Sequence, residues 1–411
     1  MKARINGHEN PSDFQAISRP RSVKHGASAI ESYISSIMEE SALIKDSGML
    51  FLASFAGSLF LFVANIILSK QFGPEGFGNF KTVLSLFLFL PALIEFGAGA
   101  TLTKYIAEGN TGIIRWFLKL RVISYAVVGG LIFAFRNHIA EVFLKNPALN
   151  YLVLPGLLVF FLTFFEIFKP IVQGFQNFKL LGWSQFLTMF LQGSLMIILG
   201  HYFGVAYALI GWGIGYALAN IPNIAYTFKK KISKTPIDIK KIFRNYSIPI
   251  HLMIIPNSIS IAIIPILSLF FAQKLIGYYA FAWTFYSGVL MIPMALSAVM
   301  FPKISALHGA KDFKKAKTTL KKILLLYTPI ALAGIAGTLM FSAQIINVVA
   351  PSYLPGLAVF EALVIFGIVA GYAQIYRTYL TAKGDMRALT AMILAQNVAL
   401  LGVSFGAVRI V

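Results

Sequence analysis

Few side chains in this sequence can do chemistry, so those that can stand out. Lys104, Lys169, Lys303 and Arg377 lie at the ends of long apolar runs or low within them, and Glu95 and Glu361 lie inside two of the runs. His251 and Asn257 share another run with Pro249, Pro256 and Pro265. A charge held in hydrocarbon costs about 3 kcal/mol or more, so it is retained where it is paired or where it acts. A lysine offers an anion a point charge, and an arginine offers a planar fork that matches phosphate or carboxylate. A lone carboxylate at mid-span is protonated or paired, and such groups often serve as ion-coupling sites. Blander roles stay open beside these. The cations can be anchors whose heads reach the interface. Glu95 can be a neutral packing residue, and Glu166 and Lys169, three apart, can form a local pair. A lone histidine is more often a satisfied polar residue than a working one.

Other chemistries are missing. There is no cysteine, which excludes disulfides, thiolate catalysis and Cys-based metal sites. The six histidines (8, 25, 138, 201, 251 and 308) show no metal-ligand spacing. No Gly-rich stretch of the Walker A type is present, so ATP is not the direct energy source. No cofactor, no metal and no enzymatic activity are expected.

The elements that must position these residues are membrane helices. The chain has 411 residues, 58% of them hydrophobic and 12% charged, with mean hydropathy +0.76. A soluble domain carries about 25% charged residues. The apolar runs are about 20 residues long, enough to cross about 30 Å of hydrocarbon as a helix, and too long and unbroken for barrel strands. Eleven spans are expected, at 48–69, 79–106, 117–135, 151–173, 181–201, 205–227, 247–272, 278–302, 322–345, 355–380 and 388–408. Residues 1–27 read as a polar, disordered tail. Ile30, Ile34 and Ile37, at helical spacing among Glu31, Glu39 and Glu40, predict an amphipathic helix on the membrane surface. The first apolar run begins too late for a signal peptide. Three prolines in the seventh span predict kinks.

Charge sets the orientation. With a cytoplasmic N-terminus, 29 of the 35 Lys and Arg fall on inside segments, and Lys70, Lys81, Arg136, Lys145, Lys274 and Arg409 do not. That bias is the positive-inside pattern, and it accounts for a formal charge of +20 without nucleic acid, through anionic membrane lipid instead.

The stretch QFGPEGFGNFKTVLSLFLFLPALIEFGAGATLTKYIAE, residues 71–108, returns near residue 271 as FFAQKLIGYYAFAWTFYSGVLMIPMALSAVMFPKISALHG. At an offset of 199, Phe72 meets Phe271, Gly78 meets Gly277, Phe80 meets Tyr279 and Lys104 meets Lys303. Pro155-Gly156-Leu157 and Pro355-Gly356-Leu357 repeat at an offset of 200. Six spans separate the copies, an even number, so the repeat is parallel about an axis along the membrane normal. The expected organisation is a polar tail with its amphipathic helix (1–46), an N-terminal lobe of six spans (47–228), a basic linker (229–246) and a C-terminal lobe (247–411). The second lobe shows five spans, with no counterpart of 205–227. Gly211 and Gly215, and Gly367 and Gly371, have the spacing of close helix packing.

At ILSKQFGPEGFGNFKTVLSLFLFLPALIEFGAGATLTKYIAEG, and at the companion "iGyYafa" and "mfPkis" features of the second half, the sequence resembles the polysaccharide-biosynthesis or oligosaccharide flippases (Wzx-like) of the multidrug/oligosaccharidyl-lipid/polysaccharide (MOP) exporter superfamily. The likeness runs from about Gly48 to the end. It implies an all-α polytopic membrane protein of two six-helix lobes, alternating access, and a lipid-linked sugar as cargo. Family members usually have twelve or fourteen spans, so the five-span second lobe departs from the pattern. A polyprenyl phosphate or diphosphate would then meet Lys104, Lys303, Lys169 and Arg377, with Glu95, Glu361, His251 and Asn257 lining the path. Tyr278, Tyr279, Trp283 and Tyr286 read as an interfacial aromatic belt or as a stacking surface for sugar. Glycan polymerase and glycosyltransferases are the implied protein partners. A cation-coupled drug or metabolite antiporter of the same superfamily and a non-transporting scaffold in glycan assembly are the competing readings.

The charge bias yields a test in a protein without native cysteines. A single cysteine at Ser233 is expected to resist a membrane-impermeant maleimide in intact cells and to react once the membrane is opened. Labelling of intact cells at that position would reverse the topology.

Overall fold

The computed structural model describes residues 29–233 and 238–411, with side chains from Leu52 onward except that of Asn257. The expected tail lies outside the described residues. The backbone is helical from Ala29, but the side chains of Ile30, Ile34 and Ile37 that would form the amphipathic face also lie outside them. The chain forms two compact units, Met1–Gly48 and Met49–Val411, and the second carries everything below.

No strand occurs among the described residues. The helices of the first half are α1 (Ala29–Ile94), α2 (Ala98–Ala107), α3 (Ile113–Ala134), α4 (Arg136–Leu144), α5 (Val153–Leu162), α6 (Phe168–Gly174), α7 (Phe178–Phe203) and α8 (Val205–Phe228). Those of the second are α9 (Ile239–Ile242), α10 (Ile248–Ser268), α11 (Gln273–Val289), α12 (Met291–Gly309), α13 (Phe313–Val349), α14 (Leu357–Lys383) and α15 (Met386–Ile410). Side-chain caps start several of them: Asn177 Oδ1 accepts from Leu180 N, Asp312 Oδ1 from Lys315 N and Asp385 Oδ1 from Ala388 N.

Among the described residues, nine helical stretches are long and apolar enough to cross a membrane, ten if the bent pair Ile239–Pro256 and Ser258–Ser268 is one span. The sequence predicts eleven. The difference lies in the first stretch, Leu52–Ile94, which runs for 43 residues and would be about 65 Å long if straight. It is not straight. Lys81 Nζ donates to Asn65 Oδ1 at 2.6 Å, although 16 residues of straight helix would part them by about 24 Å. The chain folds back at Gly73, whose φ of 64° and ψ of 178° belong to a region open to glycine alone. Pro74 can open the returning helix because its missing N–H has no intrahelical partner there anyway. The connection between the expected spans 48–69 and 79–106 is thus reduced to a single non-helical residue, and 74–78 are helical.

The second expected span, 79–106, is also corrected: it breaks at Glu95-Phe96-Gly97. Phe96 and Gly97 have φ of 50° and 68°, and α2 restarts at Ala98. Ala98 N and Gly99 N bond to the backbone oxygen and the Oε1 of Glu95, at 3.0 and 3.2 Å. Ser247 Oγ donates to Phe96 O at 2.5 Å. A carboxylate three residues before Ala98 suits the positive end of α2, so the residue that looked like a mid-span charge is the start signal of a new helix. The proline-rich seventh span bends as expected, by 51° between Pro256 and Ser258.

The internal repeat is visible in space. A Cβ on Gly78 would lie 2.0 Å from Gln273 O, and a Cβ on Gly277 would lie 1.8 Å from Pro74 O. Pro74 and Gln273 are themselves 199 apart, as Gly78 and Gly277 are. The contacts are therefore reciprocal, as across a two-fold axis. The glycines of the second repeated motif both admit an aromatic ring, though not at equivalent positions: a Cβ on Gly156 would strike Phe87, and one on Gly356 would strike Tyr278. Gln273 fastens the same face. It accepts from Thr82 Oγ1 at 3.0 Å and donates to Phe143 O at 2.5 Å. Gly211 and Gly215 let α8 lie against the backbone of α7 at Leu191 and Leu195, while Gly367 and Gly371 admit Tyr286 and Tyr327.

Backbone cannot yield as a flexible side chain does. Gly277→Ala is therefore expected to destabilise the protein by about 3 kcal/mol or more. Gly402→Ala, with nothing within 4 Å of the new methyl, should leave stability unchanged or raise it by about 1 kcal/mol. Thermal unfolding in detergent distinguishes the two, and equal behaviour would refute the backbone contact.

Candidate functional site

Three cavities among the described residues are lined by polar and charged side chains. The first, about 670 Å³, is lined by Glu95, Lys104, Arg121, Glu166, Lys169 and Gln173 of the first half and is closed by Tyr246 and Ile261 of the second. The second, about 390 Å³, lies between the hairpin of α1 and the junction of α11 with α12. Its polar lining is Ser54, Ser58, Asn65, Lys81, Trp283, Thr284 and Ser287. The third, about 290 Å³, includes Ser260, Tyr286, Arg377, Gln396 and Asn397. Trp283, Ser287 and Met294 line both the second and the third, so these two adjoin.

In the first cavity the charges are held apart. No ion pair joins Glu95, Glu166, Lys169 and Arg121 within 4 Å among the described residues. The local Glu166–Lys169 pair expected from spacing does not form. Residues Thr163–Ile167 are 3₁₀, which changes the angle between successive side chains. Lys169 Nζ donates instead to Gln185 Oε1 at 3.3 Å and sits 5.1 Å from the centre of the Tyr216 ring. Lys104 lies 4.2 Å over the Tyr246 ring and 4.0 Å from Glu108. Arg121 is 6% exposed; it donates to Thr163 O at 2.8 Å and to Tyr125 OH at 3.0 Å.

Lys81 and Arg377 have different surroundings. Lys81, half-buried, bonds to Asn65 and passes 5.3 Å from the Phe77 ring. Arg377 bonds to Gln374. Among their described lining residues, neither the second nor the third cavity has a carboxylate.

The structure brings Lys104, Lys169 and Glu95 to one cavity and Arg377 to another. Lys303 is exposed on α12 and lines none of the three. Glu361 accepts from Ser342 Oγ at 2.5 Å, inside the second half. His251 is buried with its ring 5.7 Å from that of Phe96, and the side chain of Asn257 lies outside the described residues. The aromatic cluster is not an interfacial belt. Tyr278, Tyr279 and Tyr286 are buried, and Trp283 stacks on Tyr279 and Tyr286 with centroids at 5.9 and 4.6 Å.

Lys81 and Arg121 are the charged cavity residues that sequence reasoning missed. Lys81 had a signal, as one of the six cations that run against the inside bias. Arg121 had a weaker one in its four-residue spacing from Tyr125.

Helices repeated about a two-fold, long and apolar enough to cross a membrane and enclosing polar cavities, define a multi-pass membrane fold of two related halves. Solved structures agree. A lipid II flippase MurJ in an inward closed conformation superposes with TM-score 0.65 and 17% identity over 86% of this chain and 85% of its own. An inward-facing multidrug resistance MATE transporter of the MOP superfamily gives 0.61 and 17% over 86% and 94%. Residues 43–308 match the family described as polysaccharide biosynthesis protein, and the chain belongs to that family. Among curated relatives, Stage V sporulation protein B of Bacillus subtilis is 24% identical over 218 residues, 50% of this chain and 42% of that protein. The probable flippase AglR of Haloferax volcanii is 26% identical over 140 residues, 34% of this chain and 28% of that one. The matched stretches thus span less than half of either relative's length.

The buried Arg121 network sets an expectation. Arg121→Met keeps the bulk but removes the donor to the Thr163 carbonyl, at a cost of about 1–3 kcal/mol, while the Tyr125 hydroxyl keeps its bond to Thr163 Oγ1 at 3.1 Å. Thermal unfolding should show that loss, with Arg121→Lys between it and wild type. An unaltered Met variant would mean that the carbonyl does not depend on Arg121.

Proposed function

We propose that the protein translocates a lipid-linked oligosaccharide or polysaccharide precursor across the cytoplasmic membrane by alternating access of its two lobes, with the N-terminus and the basic 229–246 linker on the cytoplasmic side. The observation that carries this reading is the pair Lys81 and Arg377. One comes from each half; they line adjoining cavities, and no carboxylate is present there to neutralise them. A charge kept in a membrane with only neutral partners in the protein is poised for a counter-charge in the cargo. A polyprenyl phosphate or diphosphate supplies it, while the apolar tail stays in lipid. Lys104 and Lys169, on the first cavity, would meet the anionic head as it arrives from the cytoplasm, and anionic lipid would hold the basic face. Family membership and the flippase named among the relatives support the same assignment. Glycan polymerase or glycosyltransferases would act on either side of the step.

Glu95 and Glu166 in the first cavity favour a second reading, a cation-coupled antiporter, which the MATE neighbours also fit. Loss of the gene separates the two. A flippase leaves lipid-linked glycan on the cytoplasmic leaflet, whereas an antiporter leaves glycan export intact and alters resistance to a cationic drug. Within the flippase reading, Lys81→Gln and Arg377→Gln should each lower glycan export at least tenfold, and Lys81→Arg should retain most of it. Wild-type export in the double Gln variant, with normal membrane insertion, would refute the anion role.

A further inference from the structure

Ser287 stands where the second and third cavities meet, between Lys81 and Arg377, and it is exposed to that space. Its Oγ donates to Trp283 O, four residues back, at 2.9 Å. The hydroxyl hydrogen is thereby used, and the oxygen can only accept. Two more hydroxyls of the second cavity are committed in the same way: Thr284 Oγ1 donates to Ala280 O at 3.0 Å and Ser58 Oγ to Met189 Sδ at 3.6 Å. Lys81 gives Asn65 one of its three N–H groups and keeps two. The wall therefore offers acceptors beside a cation.

That pattern selects a ligand chemistry. A fully ionised phosphate alone has no hydrogen for Ser287. A lipophilic cation would face Lys81. A sugar attached to phosphate satisfies both, with its hydroxyls donating to the serine oxygen and its phosphate oxygens accepting from lysine. The serine is also fixed in place. The carbonyl it uses belongs to Trp283, whose indole is stacked with Tyr279 and Tyr286, and Tyr279 is held by Ser404 at 2.9 Å. Preorganised acceptors discriminate best, because a cargo that lacks the matching hydroxyl leaves them unpaired.

We infer that Ser287 is a specificity-determining residue, which accepts a hydrogen bond from a hydroxyl of the sugar next to the cargo phosphate and so lets α11 of the second half read the identity of that sugar. The inference rests on the lipid-linked-glycan reading above.

The test uses the full chain in proteoliposomes and a short-chain prenyl phosphate carrying glucose, alongside the same lipid carrying each monodeoxyglucose. Wild type should move the glucose probe about tenfold faster than at least one deoxy probe. Ser287→Ala should slow the glucose probe to the rate of that deoxy probe and leave the deoxy rate unchanged, and Ser287→Thr should restore the preference. Ser287→Ala that keeps the preference, or that slows every probe alike, would overturn the role. So would a wild type that moves all probes equally, although translocation would then stand. Failure of wild type to move any probe, or a total lipid-linked glycan extract, would sink the flippase reading itself.

Discussion

Hydrocarbon offers a backbone no hydrogen bonds, and the departures from helix inside the apolar runs at Gly73 and at 95–97 answer to that constraint. The break at 95–97 shows it most plainly. Ending one helix and starting another within the membrane frees carbonyls at the first and N–H groups at the second. Glu95 takes two of the N–H groups, and Ser247 takes the carbonyl of Phe96. One repair group is a carboxylate in the first half, and the other is a hydroxyl at the entrance to the seventh span. The break thus forces charge into the first cavity and ties α10 to the other half. Gly73 avoids the problem differently, by confining the reversal to one residue and following it with a proline that has no N–H to satisfy.

Much of this was legible in the residues. Apolar run length marks the membrane helices, the 199-residue offset marks the two-fold, and small-residue spacing marks where α7 meets α8. Side-chain direction was not legible. Lys104 and Lys303 are equivalent in sequence, yet only Lys104 reaches a cavity. The first half breaks after Glu95 and turns α2 inward. In the second half the only interruption is at Leu290, with Met291 resuming the helix at once, and Lys303 is carried to the surface. Equivalent positions in a duplicated chain need not stay equivalent in environment. The tyrosines of α11 misled for a related reason. A Tyr–Trp cluster in an apolar run has the composition of an interface belt, and only the packing of α14 and α15 over it makes it core.

The cavities divide the charges by sign. The first mixes two carboxylates with three cations, while the adjoining pair at the seam holds cations alone. At an effective dielectric of about 20, opposite charges kept more than 4 Å apart attract by up to about 4 kcal/mol. The first cavity therefore holds charges of both signs that feel one another without being paired. In the second and third cavities Lys81 and Arg377 have neutral hydrogen-bond partners, Asn65 and Gln374, and no carboxylate stands among the described lining residues. The two regions are suited to different tasks on chemical grounds alone.

The crossing at Gly78 and Gly277 has a mechanical consequence. With no side chain between them, each helix lies directly against the backbone of the other half, where a Cβ would fall 2.0 Å from Gln273 O or 1.8 Å from Pro74 O. Backbone set on backbone has no rotamers with which to absorb a displacement, so a shift of one half at this point is passed directly to the other.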